Sequence, residues 1–333
     1  GKKVCIYAAL PHSYLTPFEI LLCKYLLFEG YDTRYFIYDN NITIHELTTS
    51  KFDKSQRKAF IDSNFKLGHN FLNAAMVDYE TIPILPFELS KSVDNLDSLK
   101  KILTFEYDSF KMGDIVKRVM YRYFQSLEIP NNFEAIEVAK EFLKTVLTNY
   151  FHAKETIIKY QPDIMMFSHG IYCSWEIVSR LCERYEIDYV CYDRAKTLSA
   201  MNFNWNQEAP NWSFNNAWIK YKEKILDEHQ NQKVNQYLKE RELQLNDVYS
   251  YNFKPKEKDL LALKNQLKVP LNTKVITFFT NLIWDAANEG REEIFNSFVE
   301  AIISTVEHFD NRDDIKFLVR PHPAEKVLGT NQK

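Results

Sequence analysis

Glycine is scarce, with 7 in 333 residues. A dinucleotide-binding G-x-G-x-x-G loop needs three close together, and no such run exists. No G-x-x-x-x-G-K-[ST] loop exists either. NAD, FAD and P-loop ATP chemistry therefore lack their usual loops. Cysteine is also sparse: Cys5, Cys23, Cys173, Cys182 and Cys191, an odd number with no C-x-x-C pair. Most sit in apolar strand or helix patterns and read as buried, reduced thiols. No apolar run approaches the ~20 residues that span a bilayer. The N-terminal residues do not read as a signal peptide. H-E-x-x-H, D-x-D and Cys/His clusters with ligand spacing are all absent, so no metal and no cofactor is expected. The formal net charge is only −3, which argues against broad nucleic-acid binding while leaving room for a local basic cleft.

What is present is a soluble α/β pattern long enough for two domains. The apolar run Val4 to Ala8 predicts a strand, followed by a turn at Pro11. Helical spacing over Phe18 to Phe28 ends at Gly30, as helices often do. Tyr35 to Tyr38 predicts a second strand. This opening implies a parallel sheet with a crossover helix. Residues from about 44 to 151 read as a mainly helical insertion, broken at Pro83, Pro86 and Pro130, with a long amphipathic stretch over Glu134 to Lys159. Strand and helix alternation resumes at Asp163 to Ser168, Trp175 to Tyr185 and Tyr189 to Tyr192. Asn216 to Gln244 is polar and helical, and its Lys220 to Lys224 run reads as a solvated face. A second domain is expected from about residue 251. It would contain a strand at Lys274 to Thr280, a helix at Glu292 to Phe309 and a strand at Ile315 to Val319.

Several loops after strands could carry chemistry, because ligands bind outside the carboxyl ends of strands in open α/β sheets. Ile315 to Val319 runs into Arg320-Pro-His-Pro. A stiff loop of that kind could aim the guanidinium of Arg320 and the imidazole of His322 at phosphate oxygens. It could equally be a Pro-rich turn with an exposed His. Thr280 to Asp285 follows another strand. Asn281 and Asp285 could hydrogen-bond a sugar and Trp284 could stack on it, or Asp285 could cap a helix. Ser168-His169-Gly170 ends a first-domain strand beside Trp175 and Glu176. Gly170 allows close backbone approach, and His169 could be a general base. In the first β-to-α loop, His12 and Glu19 could activate a hydroxyl or cap the helix. The stretch Asp193 to Trp212 supplies flat rings and amides that suit a carbohydrate: Arg194, Lys196, Asn204, Trp205 and Gln207. It could also be a loop packed by its own aromatics.

Taken together, Thr280 to Asp285 and Leu318-Val-Arg-Pro-His-Pro-Ala-Glu325 resemble the second domain of bacterial capsular polysaccharide biosynthesis glycosyltransferases. Pro17-Phe18-Glu19, Lys111-Met-Gly-Asp114 with Arg122, and His169-Gly170-Ile-Tyr172 resemble the same family's first half. The resemblance implies a GT-B-like α/β fold, two Rossmann-like domains across a cleft, at residues 1–250 and 251–333. A donor domain of that family continues beyond this loop, so the second domain is expected to be incomplete here. The implied activity is metal-independent transfer of a sugar from a nucleotide-sugar donor to a glycan or lipid-linked glycan acceptor. Arg320 and His322 would face the donor phosphates, and Glu325 would support their loop. Asn281, Trp284 and Asp285 would hold the donor or its sugar. Arg194, Asn204, Trp205 and Gln207 would contact the acceptor. The base would be His169, His12 or Glu19, in that order. The implied location is cytoplasmic, with room for peripheral attachment to the inner membrane and no nucleic-acid partner. Related families leave three alternatives open: a glycerophosphotransferase using CDP-glycerol, a sugar-nucleotide epimerase, and a non-catalytic scaffold of capsule assembly.

Overall fold

The computed structural model describes residues 1–13, 15–39, 42–195, 200–243, 260–270, 273–285, 288, 294–310, 312–322 and 325. Lys196, Pro323 and the expected domain boundary near residue 251 lie outside these residues.

The chain opens β1 (Lys3–Ala9), α1 (Leu15–Phe28), β2 (Asp32–Tyr38), α2 (Lys54–Ala74), β3 (Glu80–Ile82). It continues through α3 (Phe87–Asp94), α4 (Leu99–Leu103), the short hairpin β4 (Glu106–Tyr107) and β5 (Phe110–Lys111), α5 (Met112–Phe124) and α6 (Phe133–Tyr160). Then come β6 (Ile164–Ser168), α7 (Tyr172–Arg184), β7 (Asp188–Arg194) and β8 (Met201–Trp205). Two polar helices, α8 (Asn215–Tyr221) and α9 (Glu228–Glu242), follow. The last part holds α10 (Leu260–Gln266), β9 (Lys274–Phe279), α11 (Phe298–Asp310) and β10 (Ile315–Arg320).

Six strands form one sheet in the order β3-β2-β1-β6-β7-β8. All neighbours are parallel except β7 and β8. The α/β expectation therefore holds, with a parallel-dominated sheet. Because strand side chains alternate, β1 feeds two cores. Val4, Ile6 and Ala8 pack with α1 residues Leu15, Ile20 and Cys23 on one face. Cys5, Tyr7 and Ala9 pack against α5, α6 and α7 on the other. All five cysteines are buried and free. In the second part, β9 and β10 pair in parallel, and α11 packs on β10 through Phe309 stacked on Phe317.

The 44–151 block is helical as expected over much of its length, but it also adds β3 to the sheet edge. Two readings are corrected. The Asn- and Trp-rich stretch Met201 to Trp205 is an edge strand, not a loop. Its apolar residues Met201, Phe203 and Trp205 alternate with Asn202 and Asn204, and Phe203 packs beside Phe18 and Tyr192. The helix expected from Glu292 starts only at Phe298 among the described residues. Ser297 Oγ accepts the Glu300 N–H at 3.0 Å, and the Glu300 carboxylate accepts from Asn296 N–H at 2.9 Å, fixing the start there.

Candidate active site

In this sheet, crossovers from β1 run to one side and those from β6 to the other, so β1 and β6 flank the switch point where ligands bind. A cavity of about 580 Å³ lies there. Its walls include His12 from the loop after β1, His169 after β6, and Asp193 and Arg194 from β7. His45 and Glu46 come from the segment after β2, Arg122 from α5, and Tyr172 and Trp175 from α7. Leu282, Trp284 and Asp285 come from the segment after β9.

The loop after β1 is held close by α2. Gly68 packs against Pro11, and a Cβ at Gly68 would lie 2.1 Å from the Pro11 Cβ. Thr16 then accepts from the His12 N–H at 2.7 Å. Burial, helped by His45, Arg194 and His169 and opposed by Glu46, pushes the His12 imidazole down to about 4, so it is neutral at pH 7.

His169 has a left-handed backbone, φ 54°, followed by Gly170 at φ 72°. This turn is fixed by His169 N–H to Tyr192 O at 3.1 Å and Ala209 N–H to His169 O at 2.7 Å. The imidazole stacks on Trp175 with centroids 5.7 Å apart. Its Nδ1 bonds Ser168 Oγ, and its Nε2 lies 3.2 Å from Asp193 Oδ1. Both ring nitrogens are thus engaged. Burial raises the Asp193 carboxyl, but His169 and Arg194 outweigh it and hold its pKa below the usual aspartate range. The bonds from His169 and from Arg194 N–H go to Oδ1; Oδ2 takes part in neither.

Glu46 is fully buried at the N-terminus of α7. Its Oε2 accepts from Ser174 Oγ at 2.9 Å and from Cys173 Sγ at 3.0 Å. Among the described residues its Oε1 accepts no hydrogen bond, with His45 Nε2 3.4 Å away. His45 Nδ1 accepts the Leu47 N–H at 3.2 Å, so the neutral ring carries its proton on Nε2. Burial, opposed by Glu46 and reinforced by Arg122, lowers the His45 pKa and keeps it neutral. Arg122 Nε donates to Glu46 O at 2.8 Å, and its guanidinium lies 5.2 Å from the Tyr172 ring. Burial opposes that charge, but Tyr172, Asp285 and Glu46 outweigh it and hold the Arg122 pKa above the ordinary arginine value.

The segment after β9 reaches the same cavity. Trp284 is buried and packs with Leu282 and Tyr121. Tyr172 Oη donates to Asp285 Oδ1 at 3.2 Å. Thr280 links this segment to the Arg320 loop, because its Oγ1 accepts the His322 N–H at 3.2 Å and its N–H donates to Arg320 O at 3.1 Å.

Of the residues singled out by sequence, His12, Arg122, His169, Tyr172, Trp175, Arg194, Trp284 and Asp285 meet at this cavity. The other described site candidates do not line it. Glu19 is in the core under α1, accepting from Tyr192 Oη at 2.6 Å and Tyr35 Oη at 2.9 Å. Burial, against those two bonds, pushes it up to about 7. Asn204 Nδ2 donates to Gln207 Oε1 at 2.8 Å, and Trp205 is half-exposed on the edge strand. Asn281 bonds Asn288. Arg320 lies over Phe279 at 5.7 Å, and the Glu325 N–H bonds His322 O at 3.0 Å. Glu176 pairs with Arg118 and Arg180. Sequence reasoning missed His45 and Glu46 as site residues. The His-Glu pair after Ile44, in the segment that follows β2, was the available signal.

No family model matches the chain, and no curated protein matches. Among solved structures, the chain is similar to a UDP-N-acetylglucosamine 2-epimerase at 10% identity. That alignment covers 98% of this chain and 70% of the other, with a TM-score of 0.27. A likeness that low carries no argument about activity. Among the described residues, no group of three or more His, Cys, Asp or Glu could hold a metal ion, and no helix is long and apolar enough to cross a membrane.

Proposed function

We propose that this chain transfers a sugar from a nucleotide-activated donor to an acceptor hydroxyl bound in the switch-point cavity. The observation that carries this reading is Glu46 Oε1. It is a buried carboxylate oxygen with no hydrogen-bond partner among the described residues, on a residue that walls the cavity. Leaving such an acceptor unmade is costly, and an acceptor hydroxyl completes it. In the proposed reaction the hydroxyl oxygen attacks the anomeric carbon and its proton passes to Glu46. The bond from that carbon to the phosphate oxygen breaks, and the nucleotide leaves with the electron pair. Arg122 and Arg194 supply the cationic groups of the cavity wall, which would stabilise the departing phosphate. Asp193, held charged by His169, orients the acceptor. Trp284 and Trp175 supply ring faces for sugars. Arg320 and His322, joined to the cavity wall through Thr280, serve the donor phosphates, with Glu325 bracing their loop. This assigns the base to Glu46 rather than His169, because both imidazole nitrogens of His169 are engaged.

The test is sugar transfer by the full-length protein with a panel of nucleotide sugars and glycan acceptors. Glu46→Gln lowers turnover by about 10²- to 10⁴-fold, the usual contribution of a general base, while nucleotide binding in a thermal-shift assay is retained. A fully active Glu46→Gln protein overturns the reading.

One observation favours a second reading. The cavity holds two carboxylate–imidazole pairs, Glu46 with His45 and Asp193 with His169. Such pairs suit removal and return of a proton on one sugar, as an epimerase requires. Conversion of a nucleotide sugar with no acceptor present would select it.

A further inference from the structure

Away from the switch point, two further cavities adjoin along α6. The larger, about 420 Å³, is walled by Ile84 and Pro86 from the segment after β3, by Tyr107 of β4, and by Phe151 and Ile158 of α6. The smaller, about 210 Å³, is walled by Ser90 of α3 and by Glu141, Lys144 and Thr145 of α6. Ile84 and Thr148 belong to both walls, so the two cavities are halves of one trough. Among the described residues, none lines both this trough and the switch-point cavity.

The trough changes chemistry along its length. Glu141, Thr145, Thr148 and Glu155 fall at helical spacing on one face of α6, with Phe151 and Ile158 beside that stripe. From Glu141 to Ile158 the helix rises about 25 Å. The Glu141 end is polar and the Ile158 end apolar. Ile84 and Ile158 are 61% and 54% exposed although both wall a concavity. A concave apolar wall with a few polar groups at one end is the usual form of a small-molecule site.

Most charges along the trough are already matched. Lys154 pairs with Asp108, Lys159 with Glu155, and Lys144 with Asp94. Glu141 differs. Its Oε2 is buried and has no hydrogen-bond partner among the described residues. Arg57 Nη2 lies 3.7 Å from it, beyond hydrogen-bond length, while Arg57 Nη1 donates to Tyr123 Oη at 2.6 Å. A ligand hydroxyl satisfies such an oxygen. Asp39 lines the same half, which disfavours an anionic head.

We propose that this trough is a second binding site, for a soluble amphiphile with one alkyl chain and an uncharged, hydroxyl-bearing head. The chain lies along Ile84, Phe151 and Ile158, and the head donates a hydrogen bond to Glu141. The site is separate from the proposed sugar transfer and does not depend on it.

The probes are n-alkyl β-glucosides from hexyl to octyl, titrated calorimetrically into the full chain below their critical micelle concentrations. One molecule binds per chain, and each added methylene tightens Kd about fourfold. Ile158→Asp, at a half-exposed position, sets a charge beside the alkyl chain and weakens octyl glucoside about tenfold or more. Glu141→Gln exchanges a charge-assisted bond for a neutral one and weakens it about fivefold. Leu21→Asp, at an exposed position of α1 outside the trough, leaves Kd unchanged. Octanoate, with a similar tail and an anionic head, binds about tenfold weaker or less. Absence of binding overturns the proposal. An unchanged Kd in Ile158→Asp overturns it too, since that is the result for a glucoside held in the switch-point cavity. An equal loss in Leu21→Asp marks unspecific adsorption, and octanoate binding as tightly as the glucoside refutes the head; either overturns the proposal. If Glu141→Gln does not fold, Ile158→Asp and the octanoate comparison decide.

Discussion

Replacing Glu19 by glutamine changes how stability depends on pH, and the structure gives both sign and size. The buried Glu19 carboxyl has its pKa pushed from 4.5 to about 7, chiefly by burial and against hydrogen bonds donated by Tyr192 and Tyr35. The folded chain therefore holds this proton more tightly than the unfolded chain does. The associated stability is fully present below pH 4.5. It falls as pH rises towards 7 and is flat above that. Across that window the loss is roughly 3 kcal/mol, at about 1.36 kcal/mol per pKa unit. The substituted amide does not titrate. Its carbonyl accepts from one tyrosine, while its NH₂ leaves the other hydroxyl without an acceptor, at a cost of about 1 kcal/mol. Glu19→Gln is therefore about 1 kcal/mol less stable than the native chain at pH 4 and roughly 2 kcal/mol more stable at pH 8. Urea unfolding at a series of pH values, with m unchanged, reads this crossover. A stability difference that stays constant between pH 4 and pH 8 refutes the reasoning, and so does one that moves the other way.

Three further outcomes are expected. Gly170→Ala places a side chain at φ 72°, with its Cβ 2.7 Å from Cys191 Sγ; urea unfolding should show a loss of about 1–3 kcal/mol. Gly68→Ala drives α2 against Pro11 and displaces the His12 loop, costing about 1–3 kcal/mol in the same assay. Trp284→Ala empties the cavity wall that Leu282 and Tyr121 share with it, and thermal unfolding should report a loss of about 3–5 kcal/mol.

Much of the sheet was legible because local sequence dictates it. Val4 to Ala8, Tyr35 to Tyr38 and Asp163 to Ser168 are apolar runs of strand length, and the first is followed by a helical stripe closed at Gly30. The site was legible where a polar residue stands just past such a run, as with His12, His169, Asp285 and Arg194. Glu46 was not, because its surroundings are Ser174 and Cys173, which are distant in sequence and approach only once α7 has packed against α5 and α6. Glu19 shows the opposite failure. Its place near the first loop suggested chemistry, but helical periodicity turns it inward onto Tyr35 and Tyr192. Met201 to Trp205 misled because its alternation was weighed as ring and amide content instead of as a strand period.

The pairing of β1 with β6 also has a consequence for assembly. Lys3 and Asp163, 160 residues apart, are joined by the Asp163 N–H to Lys3 O and by the Lys3 N–H to the Asp163 carboxylate. The entropy of closing so long a loop is recovered only once α5, α6 and α7 are packed, because they bury the face of β1 that β6 extends. During synthesis β1, β2 and β3 can pair early, while the seam between β1 and β6 waits for the long helical stretch to emerge. His12 and His169 stand on either side of that seam. The cavity is thus among the last features to form, and a chain interrupted before β6 carries half a sheet and no site.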